Sequence, residues 1–595
     1  MLRRRFLILP ILVGAAVLPC LAQMPAGTTP AKPDSQTALT ALFADEWERG
    51  LRDDPERASE FGDTRYNDRW TDRSLDAIKA RQAADRAALD RLHAVDRAAL
   101  SPDQQLNYDT FEWILQRQIE RQAFREYLRP IDHKRGSQLA DGIVEVMPFR
   151  TVADYRNYLN RMAALPARID QEIALMKEGM TSGNTPPRVL MERVPGQIAK
   201  QIVDDPVQSP FYRPFKQPPD SIAADERVKL QDHAQTTIRE LVVPAFRRLR
   251  AFIRHEYVPR ARTSIAATDL PDGKAYYAFL VRFQTTTNLT VDQIHETGLK
   301  EVARLRKAIE AVQAEVGFKG TLPEFFAYLR TDPKFFYKTP AELLTAYRAL
   351  SKRVDPELVR VFRIIPRQPY GVREIPAVAA PDTTTAYYQP GATDSSRPGY
   401  YYVNLYKPES RPTWEMMPLT LHEAVPGHHF QFARALELPQ APMFRKTAYF
   451  VAYGEGWGLY AEQLGYDMGL YDDPYDRLGQ LTYEMWRAVR LVVDTGMHAK
   501  GWSREQAIAY FKDNAAKTEL DIVNEIDRYI GDPAQALAYK IGQMKITELR
   551  ARAQKELGPK FDLRDYDDAL LAVGSVPLTT LEDHIDRWIR ERQAN

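Results

Sequence analysis

The stretch Leu421–Gln431, LHEAVPGHHFQ, constrains this chain more than any other. Of only ten histidines in 595 residues, His422, His428 and His429 fall within eight positions, with Glu423 beside the first and Pro426–Gly427 between them. Imidazoles concentrated around a carboxylate suit a shared zinc ion, because neutral imidazole and carboxylate are its habitual ligands. The competing reading is three histidines that cap helices or bond inside a core.

Spacing shapes the metal reading. In the usual zinc helix two histidines four residues apart share one face, and a Glu next to the first activates water. Here the offsets are six and seven, which on an unbroken helix mean about 9 and 10.5 Å of rise, too far to share an ion held at about 2.0–2.1 Å. Pro426 removes a backbone donor and Gly427 tolerates unusual dihedrals. The pair therefore predicts a break that loops two residues out and returns His428 to the second ligand position. His429 is the competing second ligand, since an offset of seven nearly restores the original face.

Glu455, in YGEGWGLYAE, is the expected third ligand; Gly454, Gly456 and Gly458 strip side chains away and let its helix approach the histidine helix. Three protein ligands leave the open position that a catalytic zinc needs, with Glu423 as general base. Glu462, seven residues on, either orients a ligand histidine or pairs with a surface cation. A helix over Asp476–Ala499 carries Arg490, Asp494 and His498 at intervals of four, one polar row among core residues. That row is either structural ion pairing or a device in which His498 donates to a developing oxyanion, with Arg490 and Asp494 holding it or gripping a substrate terminus. Tyr539 or Tyr529 offers a second oxyanion donor, the alternative being half-buried packing.

Elsewhere apolar residues recur at intervals of three and four over Leu75–Val95, Gln104–Arg121, Thr151–Thr181, Ala223–His255, Thr290–Val316 and Thr339–Ala349, which predicts amphipathic helices. Several prolines in Asp204–Pro219 predict an extended loop wrapping the surface. Thr385–Tyr388 and Tyr400–Leu405 read as strands of one hairpin or small sheet, serving either as a packing lid or as an edge that holds an extended peptide. The fold class is thus mainly α, a large helical body with a deep cleft and a small β element beside the zinc helix. It forms a single domain over residues 37–595, divisible into lobes at 37–360 and 361–595.

Lys and Arg total 81 against 80 Asp and Glu, so no long-range field collects nucleic acid or anionic membrane. Arg3–Arg5 precede an apolar run from Phe6 to Val17, with small residues near Ala22. This reads as an export signal, residues 1–22, too short for the roughly 20 apolar residues of a membrane span. A lipid on Cys20 is the alternative. Cys20 is the only cysteine, which excludes thiol chemistry and cysteine ligation. Residues 23–36, rich in Pro, Thr and Ala, read as a flexible spacer, and no later stretch has 18 uninterrupted apolar residues. The expectation is a periplasmic or secreted body without stable membrane insertion.

HExxPGHH, EGWxxYxE, DTGxHxxGW and RYxxxPxQAxxYKxG occur in that order, after DEWERGLRDDPERASEFGD near the start. The ordered set resembles the bacterial family catalogued as domain of unknown function 885 over nearly the whole mature chain. That family is similar to gluzincin-type zinc metallopeptidases. The resemblance implies a helical body with a buried cleft, zinc on His422, His428 and Glu455, and Glu423 as base. The expected activity is zinc-dependent hydrolysis of amide bonds in short peptides, in the manner of an exopeptidase. The alternatives are a small-molecule amidase and a non-catalytic zinc-containing binding protein.

Overall fold

Helices carry most of the chain in the computed structural model, which describes residues 34–377 and 380–594. The expected signal at 1–22 and the spacer up to residue 33 lie outside the described residues. Ser35 and Gln36 already belong to the first helix, Ser35–Asp53, whose Thr37 N–H is capped by Asp34. The periodic segments form Leu75–His93, Pro102–Gln122, Val152–Thr181 and Pro340–Val354, and each begins on a Ser or Thr side chain that accepts an N-terminal amide.

Two segments differ from expectation. The helix predicted over Ala223–His255 runs as Ala224–Arg260, interrupted by π turns at Ile238–Val242 and Ile253–Tyr257. Each π turn lies just ahead of a proline, Pro244 or Pro259, where the wider turn relieves the clash with the carbonyl four residues back. Asp204–Pro219 lies at the surface, with Asp204, Gln208, Arg213 and Lys216 exposed, but it is not extended. It forms two short 3-10 turns that bury Phe211 and Phe215, and the Phe215 ring stacks on Tyr158 with centroids 6.0 Å apart. Burial of those aromatic rings holds the turns against the body, while most of the prolines stay half-exposed.

The helices that position the histidine stretch include α1 (Val291–Glu315), α2 (Met416–Glu423), α3 (His428–Leu436), α4 (Val451–Asp467), α5 (Pro474–Ala499), α6 (Glu519–Gly531) and α7 (Leu537–Leu557). From Leu478 to His498 nearly every residue of α5 is buried, which makes it the central post. Along it lies α1, with Gly298 against Leu491 and Val492. Helices α4 and α7 cross where Gly456 meets Gly542.

Strands β1 (Tyr370–Glu374), β2 (Ala386–Gln389) and β3 (Gly399–Val403) form a sheet of order β1-β3-β2. The antiparallel β2–β3 pair is the predicted one; β1 joins parallel to β3. Prolines 366, 369 and 376 around β1 hide it in the sequence. A cavity of about 790 Å³ opens among β2, the ends of α2 and α3, and α5 and α6. Among the described residues no helix is long and apolar enough to cross a membrane.

Candidate metal centre

The eight residues of α2 are all buried, and the helix stops at Glu423. Ala424 (φ −98°, ψ −110°) and Gly427 (φ −73°, ψ −129°) leave helical geometry, and α3 restarts at His428. Gly427 lies so close to the carbonyl oxygens of His422 and Leu421 that a β-carbon would overlap them. Trp457 Nε1 on α4 donates to the Pro426 carbonyl at 2.8 Å and pins the break. The result is the return predicted for Pro426–Gly427: the rings of His422 and His428 stand 4.7 Å apart at 86°.

Glu455 on α4 completes the group. Its Oε2 is 3.5 Å from His422 Nε2 and 3.4 Å from His428 Nε2, and one ligand atom from each residue lies within 4.8 Å of the others. A tetrahedral ion with bonds near 2.05 Å puts its ligands about 3.3 Å apart, so these spacings suit zinc. Glu462 Oε1 lies 2.8 Å from His422 Nδ1. A carboxylate only accepts, so Nδ1 donates to Glu462, and Nε2 is the nitrogen that faces Glu455 and the centre. Tyr449 OH donates to Glu455 Oε1 at 3.0 Å, leaving Oε2 for the centre. Arg487 Nη2, 3.6 Å from Glu462, holds the outer carboxylate.

Charge follows the same pattern. Burial by itself pushes the His422 imidazole down, but Glu455 and Glu462 outweigh it and raise the group to about 9. Burial by itself pushes Glu455 up, but His428 and His422 hold it well below the usual carboxylate range. The cluster favours a positive charge at its middle, the condition a cation needs. Gly458 sets the depth: a β-carbon there would stand 2.6 Å from His422 Cε1. Of the three glycines around Glu455 it alone faces the histidine helix, since Gly454 meets the Tyr449 ring and Gly456 meets α7.

Two expected site residues lie elsewhere. His429 stands outside the group of His422, His428 and Glu455: its Nε2 donates to the Gln368 carbonyl at 3.0 Å and its Nδ1 accepts from Tyr388 OH at 2.9 Å. Burial lowers it to about 4, so it is a neutral strut between α3 and the sheet. His498 does not reach the cleft either. Its Nδ1 accepts from the Ala267 N–H and its Nε2 donates to the Tyr529 carbonyl, both at 3.0 Å, and burial lowers it to about 4. With both nitrogens committed, it has no proton for an oxyanion. The row on α5 divides accordingly. Asp494 accepts from Tyr277 OH and the Ala534 amide, away from the cleft, whereas Arg490 lines it.

Glu423 and Tyr539 both line the cavity. Glu423 is 8% exposed and sits at the break beside His422. Tyr539 packs 4.3 Å from the Arg490 guanidinium, and the Glu455 charge adds to burial in raising its phenol. Tyr529, the other tyrosine of the same motif, is buried between Arg490, Trp486 and Glu525. Sequence reasoning missed Tyr449 and Arg487. Tyr449 stands in a short connection six residues before Glu455, a place without periodic signal, and Arg487 is hidden among the core residues of α5.

Among solved structures, the chain is similar to a candidate lipoprotein from Colwellia psychrerythraea, at 27% identity and a TM-score of 0.90 over 94% of this chain and 100% of that one. It shares its fold with a candidate lipoprotein of unknown function from Shewanella oneidensis, at 18% identity and a TM-score of 0.67 over 93% and 99% of the two chains. No curated protein matches. The family described as bacterial protein of unknown function, DUF885, matches residues 55–585, nearly the whole of the helical body just described, and the chain belongs to that family.

Proposed function

We propose that this protein is an exported zinc-dependent hydrolase of the gluzincin type that cleaves amide bonds of short peptides. The observation that carries the reading is the meeting of His422, His428 and Glu455 at near-tetrahedral spacing, with Glu423 next to the first ligand at the head of a cleft. Zinc held by these three side chains supplies a Lewis acid for the scissile carbonyl and for water. Glu423 takes one proton from the attacking water as the C–O bond forms, then delivers it to the amine as the C–N bond breaks. One water is consumed, and a carboxylic acid and an amine leave. Tyr539 steadies the oxyanion from the cleft wall, and Glu462 keeps His422 in the tautomer that faces the ion.

Outer strand β2 lines the same cleft, so an extended peptide can lie along it with the carbonyl to be cut near Glu423. A cavity of about 790 Å³ suits a few residues better than a folded protein. Export is supported by the basic, then apolar start of the chain and by the likeness to the candidate lipoprotein from Colwellia psychrerythraea.

The test is metal analysis combined with Glu423→Gln. The expected result is one zinc per chain in both proteins and a loss of turnover of about 1,000-fold or more in the variant, on the scale of a lost general base. Turnover of acyl amides without peptide cleavage moves the reading to a small-molecule amidase. Zinc retained with no hydrolysis in either protein moves it to a binding protein.

A further inference from the structure

Apart from the metal group, the cleft wall holds an excess of cations whose carboxylate partners are shared. Glu525 on α6 accepts from Arg490 Nη2 and from Arg528 Nη2, each at 2.9 Å, and from Tyr529 OH at 2.6 Å. Asp532, just past α6, faces Lys134 Nζ at 3.3 Å and also takes the Arg135 guanidinium. Arg193 meets Asp527 at 3.3 Å, and that carboxylate already pairs with Arg504 at 2.7 Å. Lys134, Arg193, Arg490 and Arg528 all line the cleft. Arg193, Arg490 and Arg528 thus each share one carboxylate with a second cation, whereas Arg135 beside Lys134 also pairs with Asp132 at 2.8 Å.

A second observation comes from Arg490. Its Nε goes to Tyr529 OH and its Nη2 to Glu525, while Nη1 is buried without a hydrogen-bond partner. Trp486 and Tyr539 flank the guanidinium at 4.8 and 4.3 Å. Buried guanidinium N–H groups are ordinarily paired. The side chain is thus kept charged and oriented by aromatic faces in place of a full set of acceptors. Arg528, less covered, gives Nε and Nη2 to Glu525 at 3.3 and 2.9 Å and Nη1 to the uncharged Gln535, the contact that a ligand carboxylate can replace. The acids elsewhere in the cleft are engaged: Asp141 accepts from Gln201 and Asp521 from Thr518.

We propose that this wall is a carboxylate subsite, so that the substrates are short peptides with a free C-terminal carboxylate, bound by Arg528 and Lys134 over the charge of Arg490. The inference rests on the peptidase reading of the same cleft and adds to it the chain end that is read. Arg528 turns Nη1 to a neutral amide and not to a carboxylate, so its charge-assisted donor is the stronger one for a ligand carboxylate, which makes Arg528 the specificity-determining residue and Lys134 a supporting charge.

The experiment compares acetyl-tetra-alanine with its C-terminal amide and with unacetylated tetra-alanine, on the zinc-loaded mature chain. The free acid is expected to exceed the amide in kcat/KM by about 100-fold, the scale of a desolvated charge-assisted pair, while acetylation changes the rate only a few-fold. Arg528→Gln should cut the acid-to-amide ratio below ten and Arg528→Lys should restore part of it. Lys134→Gln, at a more exposed position, should lower the ratio a few-fold and serves if Arg528→Gln does not fold. An acid-to-amide ratio near one in the unaltered protein, or a full ratio surviving in Arg528→Gln, overturns the subsite. Should no peptide be cleaved, calorimetric titration of the same peptides onto Glu423→Gln separates the two ideas. Tighter binding of the acid keeps the subsite while the peptidase reading falls; equal binding, or none, overturns the subsite as well.

Discussion

Replacing Gly458 with Ala tests the geometry of the metal group without touching a donor atom. The added β-carbon would stand 2.6 Å from His422 Cε1 and 2.9 Å from both ring nitrogens. Carbon atoms in contact rest about 3.5 Å apart, so the imidazole has to retreat by roughly 0.9 Å, several times the ~0.2 Å latitude of a metal–ligand bond. The retreat also loosens the 2.8 Å bond from Nδ1 to Glu462. Losing an outer partner alone lowers metal affinity 10–100-fold, so a displaced ligand plus a loosened partner predicts a loss of about 100- to 1,000-fold, roughly 3–4 kcal/mol. Stability of the metal-free chain is not expected to follow. Ala is better than Gly inside a helix by about 1 kcal/mol, which offsets part of the ~1–3 kcal/mol of overpacking. The assay is competition for zinc against a chelator of known affinity at fixed pH, with thermal unfolding of the metal-free protein alongside. An affinity within threefold of the unaltered chain, in a folded variant, would refute the placement of His422 as a ligand backed by Gly458.

Three further outcomes follow from the same contacts. Glu462→Ala should weaken zinc binding by about 10–100-fold while leaving one site per chain, and an unchanged affinity would remove Glu462 from any part in orienting His422. His429→Ala should keep zinc stoichiometry but lower unfolding free energy by about 2–4 kcal/mol in urea, because Tyr388 OH and the Gln368 carbonyl lose their partner; a chain that loses its zinc would return His429 to the ligand set. For Glu484, burial alone pushes the carboxyl up, but Lys540 and Arg304 outweigh it and hold it at about 2, below its ordinary 4.5. A folded-state value below the unfolded one contributes stability above pH 4.5 that is lost as pH falls toward 2. Glu484→Gln should therefore flatten the stability profile across that window and lower stability at pH 7 by roughly 3 kcal/mol, and identical acid slopes in urea titrations would contradict it.

How much of this was legible in the chain depended on range. The helices of the body appear where periodicity and Ser or Thr caps said they would, since both are local properties of consecutive residues. The β2–β3 pair was legible from its tyrosine-rich runs, whereas β1 was not, because a five-residue strand among prolines earns its place only by pairing with β3. His498 shows the limit most plainly. Its spacing from Arg490 and Asp494 places it on one face of α5, but a face does not say whether a backbone carbonyl or a cleft lies opposite, and here it is the Tyr529 carbonyl.

The sequence alone determined that a proline–glycine break stands between clustered imidazoles, that a glycine-flanked Glu455 follows, and that a helical body surrounds them, because these are matters of residue type, spacing and backbone freedom. Tertiary structure decided which imidazole faces the centre. Successive residues on a helix point about 100° apart, so the rotation of α3 alone separates His428 from His429. That rotation is set by what α3 packs against: Phe430 against Phe362, His429 against Tyr388 and the Gln368 carbonyl, and His428 left to meet Glu455.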